Sequence, residues 1–255
     1  MGLVERVTRE RDLHNEGLNR RLIDRLQKHV WGGPSERRRA AALHDLMAEQ
    51  AGKKVLEIGS SAWESWIDLD RGFPAELHCL NISEVELEKG KLLAKEKKVD
   101  DKVVFHLMDA HKLTFPDSSF DCVYGGAIFH HLDCNVAFAE VARVLKPGGR
   151  FILAGPMGMN PAGKLVRWAT PQARTPDEKP FDLTEFRLLR EHFVIENWMV
   201  YDFFSIPFAF LSSALFKKPD NLVNRFGCWF DRMLFAALPP SRYWANHVLF
   251  VSRKK

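Results

Sequence analysis

Residues 53 to 63, Lys-Lys-Val-Leu-Glu-Ile-Gly-Ser-Ser-Ala-Trp, constrain this chain more than any other stretch. Val55, Leu56 and Ile58 form a short apolar run that stops at Gly59 and two serines, the pattern of a buried parallel strand ending in a sharp turn. In an open α/β sheet, the crevice outside the carboxyl ends of the strands collects ligands. A glycine there lets backbone approach a ligand closely. Glu57 is a carboxylate inside an apolar strand. Burying an unpaired charge is costly, so its position calls for a cationic partner.

The other strands are placed relative to this one. Leu77–Asn81, Val103–Leu107, Phe120–Gly126, Arg150–Ala154, Phe193–Tyr201 and His247–Val251 read as strands. Helical spacing covers 35–49, 83–98, 132–145 and 181–192, with Ser35 a candidate N-cap and Ser83 and Glu86 a candidate capping box. Strands alternating with helices at this spacing predict an α/β, Rossmann-like, doubly wound, mostly parallel seven-stranded sheet. With 255 residues, 46% of them apolar, one core suffices. The expected layout is a helical N-terminal cap over 1–50, built on Leu3, Val7, Leu18, Leu22, Ile23, Leu26 and Val30, followed by the sheet domain over 51–255.

A net charge of +4, spread along the chain, argues against a nucleic-acid partner. Cys79, Cys122, Cys134 and Cys228 lack metal-ligand spacing, so no metal site is expected and reduced core thiols fit a cytoplasmic protein. The charged N-terminus has no apolar segment of the signal-peptide kind.

Between Lys53 and Ala154 the chain resembles the class I S-adenosylmethionine-dependent methyltransferases. Val55-Leu56-Glu57-Ile58-Gly59 is similar to the family's first motif, and Asp109-Ala110 to its adenine-contacting pair. Leu113 to Asp121, His130-His131-Leu132 and Arg143 to Arg150 continue the resemblance in the family's order. It implies S-adenosyl-L-methionine as cofactor, with Glu57 near the methionine ammonium and Gly59 and Ser60 passing close under the ligand. Asn81 and Ile82 would lie by the ribose, Asp109 and Ala110 by the adenine, and Gly125 and Gly126 along the methionine. Each residue also has a purely structural reading, the glycines as turns and Asp109 as a cap. Two departures stand out: Trp63 follows the first strand where the family has small residues, and Asn81 replaces an acidic one. Trp63 either stacks over the cofactor or points away into the N-terminal helices.

Methyl transfer is an in-line displacement at a sulfonium carbon, and hydroxyl or amine acceptors need a base. His130 and His131 are the candidate catalytic residues, with a backbone-bonded structural role as the competing reading. Two inserts bear on the acceptor. Residues 156–180 resemble a substrate lid, with Arg167, Arg174 and Lys179 available to an anionic group. Residues 203–243, rich in Phe and Trp, make a hydrophobic helical insert between strands six and seven. Its segment 203–216 is too short to span a bilayer. In 221–238, Leu222, Phe226, Trp229, Phe230, Met233 and Leu234 fall opposite Arg225 and Arg232, which suits core packing, a homodimer face, a greasy substrate tunnel or peripheral membrane contact through 203–238. The expected function is methyl transfer to a small hydrophobic molecule, on oxygen or carbon. The alternatives are a methyltransferase-like scaffold that cyclises or isomerises its substrate, and a non-catalytic cofactor- or partner-binding module.

Overall fold

The computed structural model describes residues 28–30, 32–61, 63, 66, 72–161, 164 and 179–255. The expected helices of 1–27 and most of the 156–180 insert, with Arg167 and Arg174, lie outside the described residues. The element order is α1 (Pro34–Ala48), β1 (Lys54–Ile58), β2 (Glu76–Asn81), α2 (Glu84–Glu96), β3 (Val103–Leu107), β4 (Phe120–Gly126), α3 (Cys134–Val144) and β5 (Leu145–Pro156). Then come α4 (Leu183–His192), β6 (Phe193–Tyr201), α5 (Ser205–Leu215), α6 (Leu222–Ala237) and β7 (His247–Lys254).

The strands form one sheet in the order β3-β2-β1-β4-β5-β7-β6. β3, β2, β1, β4 and β5 run parallel, and β7 is antiparallel to both its neighbours. Strand alternation divides the apolar side chains between two cores. Leu56, Ile58, Leu80, Val123, Phe151 and Phe250 pack with α3 and α4. Val55, Leu77, Cys79, Cys122, Tyr124 and Leu249 pack with Met47, Trp63 and Trp66. All four cysteines are free and buried, and burial pushes the Cys122 thiol up to about 12.

Two caps differ from the sequence reading. Gly33, not Ser35, is the N-cap of α1, because Pro34 takes the first helical position, where its missing N–H costs nothing. At α2, Ser83 Oγ accepts from Glu86 N as expected. The N–H of Ser83, which Glu86 would hold in a full box, donates instead to Asn81 Oδ1 at 2.9 Å.

Arg143 of α3 ties down the 113–117 linker. It donates to Glu140, Asp117 and the carbonyls of Leu113 and Phe115, while Glu140 Oε2 accepts from Leu113 N. A planar guanidinium suits such a many-sided anchor. Between β6 and β7, α5 and α6 form an antiparallel pair joined by Asp231. This buried carboxylate of α6 accepts from the backbone N–H groups of Phe203, Phe204 and Ser205 at the start of α5. Burial raises its pKa, although all three bonds pull the other way.

On the outer strands β2 and β3, His78 and His106 stack with ring centroids 5.0 Å apart. His78 Nδ1 lies 2.8 Å from His106 Nε2, and His78 Nε2 lies 2.6 Å from Glu76 Oε1. If His78 Nε2–H donates to the carboxylate, His78 Nδ1 accepts from His106 Nε2–H, so two neutral rings satisfy the chain. Burial is the larger cause lowering both imidazole pKa values, outweighing the pull of Glu76. With folded values below the unfolded reference of about 6.5, the unfolded chain binds more protons as acid is added. Stability present above that pH is therefore lost below it. In urea titrations between about pH 7 and pH 5, His78→Phe/His106→Phe should lose less stability than the wild type; equal losses would remove the pair as the cause.

Candidate cofactor site

The site is built from the carboxyl ends of four adjacent parallel strands. Gly59 adopts φ +72°, which aims two successive amides, Gly59 N and Ser60 N, at the carbonyl of Leu80 at 2.9 and 3.0 Å. A Cβ at Gly59 would lie 2.5 Å from Ile128 Cγ1, so both conformation and space require glycine. Glu57 is buried between Cys79 of β2 and Tyr124 of β4 in register, on the face of Val55.

Trp63 does not lie over the strand end. Its indole is buried and donates Nε1–H to the Gly90 carbonyl of α2 at 3.1 Å, with Phe73 edge-on at 6.0 Å. Its backbone N–H donates to Ser60 Oγ at 3.0 Å, which turns the Ser60 hydroxyl inward. The bulky residue after β1 is thus a core side chain under α2.

Asn81, at the end of β2, spans the neighbouring turns. Its Nδ2 donates to Ser60 O at 2.7 Å and its Oδ1 accepts from Ser83 N. Met108 N in turn donates to the Asn81 carbonyl at 3.1 Å, carrying the link to β3. Ile82 follows Asn81 at the same edge, half-buried.

Asp109 follows β3, its side chain 35% exposed. Oδ1 accepts from His111 N and lies 2.7 Å from His111 Nδ1. His111 is buried, and its Nε2 accepts from Asp133 N, the N-cap position of α3, at 2.9 Å. That bond places the proton on Nδ1, so His111 donates to Asp109. Partial burial pushes the Asp109 carboxyl up, but the bonds from His111 outweigh it and hold it below its ordinary value. The carboxylate stays ionised with Oδ2 turned from the relay. His111 escaped the sequence reading; the available signal was an Asp two residues ahead of a backbone donor, the Asx-turn pattern.

Ala110 is buried beside Asp109. Gly125 and Gly126 end β4, where a Cβ would meet Phe129 Cε2 or Tyr124 Oη, each at 2.3 Å. Their missing side chains make room for the protein's own rings. His130 and His131 lie in the 3-10 turn Phe129–His131 that follows, with ring centroids 4.0 Å apart. His130 is buried, and its carbonyl accepts from Lys179 N at 2.7 Å. Lys179 Nζ pairs with Glu185 at 2.5 Å, so its charge is already engaged. No cluster able to hold a metal occurs among the described residues.

The donor set suits S-adenosylmethionine. A buried carboxyl group at Glu57 and a carboxylate at Asp109 are acceptors of the kind an ammonium and an exocyclic amine need, and Gly59 adds backbone without a side chain. A family model described as a methyltransferase domain matches residues 56–153. Residues 56–153 carry a methyltransferase domain. It is 33% identical over 132 residues to 27-O-demethylrifamycin SV methyltransferase of Amycolatopsis mediterranei (strain S699), a match covering 49% of this chain and 48% of the relative. The chain spans about half the length of the curated relatives it matches. Among solved structures, geranyl diphosphate C-methyltransferase from Streptomyces coelicolor A3(2), in complex with S-adenosyl-L-homocysteine, superposes with a TM-score of 0.62 at 18% identity, covering 86% of this chain and 79% of that one. The [4+2]-cyclase SpnF gives 0.60 at 21% identity, covering 91% and 92%. At these identities the likeness is one of fold.

The bonding of Asn81 generates a prediction. An acidic residue is usual at this position in the family, yet Asn81→Asp would replace the donor to Ser60 O by a carboxylate oxygen. The variant should be about 1–3 kcal/mol less stable in chemical denaturation and bind S-adenosylmethionine no more tightly by calorimetry. A variant as stable as the wild type with tighter binding would show that the amide does not hold the turn.

Proposed function

We propose that the protein transfers the methyl group of S-adenosylmethionine to a small hydrophobic acceptor, on oxygen or carbon. The observation that carries the reading is the convergence of Glu57, Gly59, Asn81 and Asp109 at neighbouring strand ends, where register and hydrogen bonds link β1, β2 and β3. The cofactor supplies an electrophilic methyl carbon on a sulfonium. Glu57 receives the methionine ammonium, and the Gly59–Ser60 backbone passes beneath. Asp109 Oδ2 accepts from the adenine amine, with Ala110 and Ile82 as apolar neighbours. Asn81 Oδ1, already bonded to Ser83 N, offers a ribose hydroxyl its second lone pair. Gly125 and Gly126 line the methionine side. His130 and His131 stand after β4 as bases for an acceptor that must lose a proton.

The acceptor class is supported by relatives named for hydrophobic substrates, a probable tocopherol O-methyltransferase and sterol 24-C-methyltransferases. Relatives are named as O-, C- and N-methyltransferases. A cytoplasmic setting is supported by the four free, buried thiols. Among the described residues no helix is long and apolar enough to cross a membrane. The fold likeness to a [4+2]-cyclase keeps a second reading open, in which the same scaffold promotes cyclisation or isomerisation.

Calorimetric titration with S-adenosylmethionine and S-adenosylhomocysteine should show micromolar binding, about −8 kcal/mol, that is lost in Glu57→Ala. Incubation with hydrophobic hydroxyl and carbanion-forming acceptors should then give products heavier by one methyl group, with S-adenosylhomocysteine released. An isomeric product with the cofactor unconsumed would establish the second reading. Absence of binding to the folded protein would overturn both.

A further inference from the structure

The hairpin of α5 and α6 is built inside out. In an ordinary surface helix, large apolar residues face the core and polar ones face water. In α6, the buried positions are Asn224, Gly227, Cys228 and Asp231. The opposite face carries Leu222, Phe226, Trp229 and Met233, spaced by three and four residues, with exposures of 79%, 50%, 51% and 52%. In α5, Ser205, Ala209 and Ser212 are buried, whereas Phe210, Leu211 and Leu215 are exposed.

The inward polar groups have structural work. Asp231 holds the start of α5, His29 Nδ1 lies 2.8 Å from Ser212 Oγ, and Asn224 Nδ2 donates to the carbonyls of His29 and Pro219. A Cβ at Gly227 would lie 2.7 Å from Phe208 Cβ, so the helices approach closely there. The two outward faces are continuous through the ring contacts of Phe204 with Phe230 and Phe208 with Phe226. Trp244, 45% exposed, follows α6 in the turn before β7. An apolar surface of this extent, assembled on two helices, is a binding face.

Charge indicates what it meets. Residues 203–243 contain five basic residues and two acidic ones. Of the acids, Asp231 is buried under the hairpin, and Asp220 is neutralised by Arg37 and Arg225. Lys217 and Lys218, exposed in the turn between the helices, and Arg232, exposed on the flank of α6, make no ion pair with any described residue. Apolar and aromatic residues on one face with cations along its rim are the composition of a helix that lies in a bilayer interface, where long basic side chains reach anionic headgroups. Neither helix can span a bilayer: α5 has 11 residues and α6 has 16.

We propose that the outward face of the α5–α6 hairpin docks on the surface of an anionic lipid bilayer, with Trp229, Phe226 and Met233 in the acyl boundary and Lys217, Lys218 and Arg232 at the headgroups. The proposal stands on the hairpin alone and holds whichever reaction the domain performs. It is tested by flotation of the full chain with vesicles of phosphatidylcholine, and of equal parts phosphatidylcholine and phosphatidylglycerol, at low and high salt. The protein floats with the anionic vesicles, less so at high salt. Trp229→Gln/Met233→Gln weakens partitioning about tenfold or more, while its circular dichroism and melting match the wild type, since both side chains point outward. Lys217→Glu/Lys218→Glu removes the preference for anionic lipid. Wild-type protein that stays unbound to both vesicle types, or floats equally well in the Trp229/Met233 variant, overturns the proposal. So does a dimer in sedimentation velocity that this variant dissolves, which would assign the face to a second copy of the chain.

Discussion

The structure depends first on one carbonyl. Leu80 O, at the end of β2, accepts from both Gly59 and Ser60, which turns the chain sharply as it leaves β1. Gly59, at φ +72°, lets two consecutive amides converge on this one acceptor. From this turn the other strand ends are set in sequence. Ser60 O fixes the Asn81 amide, Asn81 Oδ1 fixes the first turn of α2, and Asn81 O receives Met108 at the exit of β3. The cofactor edge is therefore a chain of backbone commitments, and its side chains inherit their positions from it.

The same ordering explains what sequence could disclose. The five parallel strands at the centre stood out because each is an apolar run closed within two residues by Gly, Asn or Asp, and the end of β1 bears both a carboxylate and a glycine. The seven-stranded, mostly parallel sheet was legible in this way. The fate of individual polar side chains was not, because each depends on which of several neighbours reaches it first. Ser83 looked like one half of a capping box, yet Asn81 supplies the acceptor that Glu86 would have supplied. Asn81 was read beside the ribose in place of an acidic residue, and its amide also braces two turns. Trp63 was read either over the cofactor or into the N-terminal helices, and its indole lies instead under α2, donating its N–H to the Gly90 carbonyl.

The helical hairpin shows a different limit. Periodicity locates an amphipathic helix and says which residues share a face, and it did so for Leu222, Phe226, Trp229, Phe230 and Met233. It does not say which face turns inward. In α6 the direction is set by side chains with strong local partners: Asp231 saturated by three amides, Asn224 bonded to two carbonyls, and Gly227 where Phe208 comes closest. Each would leave a costly unmet group or a void if the helix rotated. A small number of specific polar contacts thus outweighs a larger apolar face, and the price is surface that water wets poorly.

The Asp109–His111 pair connects the cofactor edge to the rest of the domain. Through His111 Nε2 the same unit holds Asp133 N at the start of α3, and Arg143 near the end of α3 holds the linker that leads into β4. A carboxylate that also accepted from an adenine amine through Oδ2 would hold the His111 Nδ1–H on Oδ1 less strongly, since both bonds draw on one charge. In the proposed site, the carboxylate assigned to the adenine is thus tied through His111 to the cap of α3, which follows the turn that carries His130 and His131.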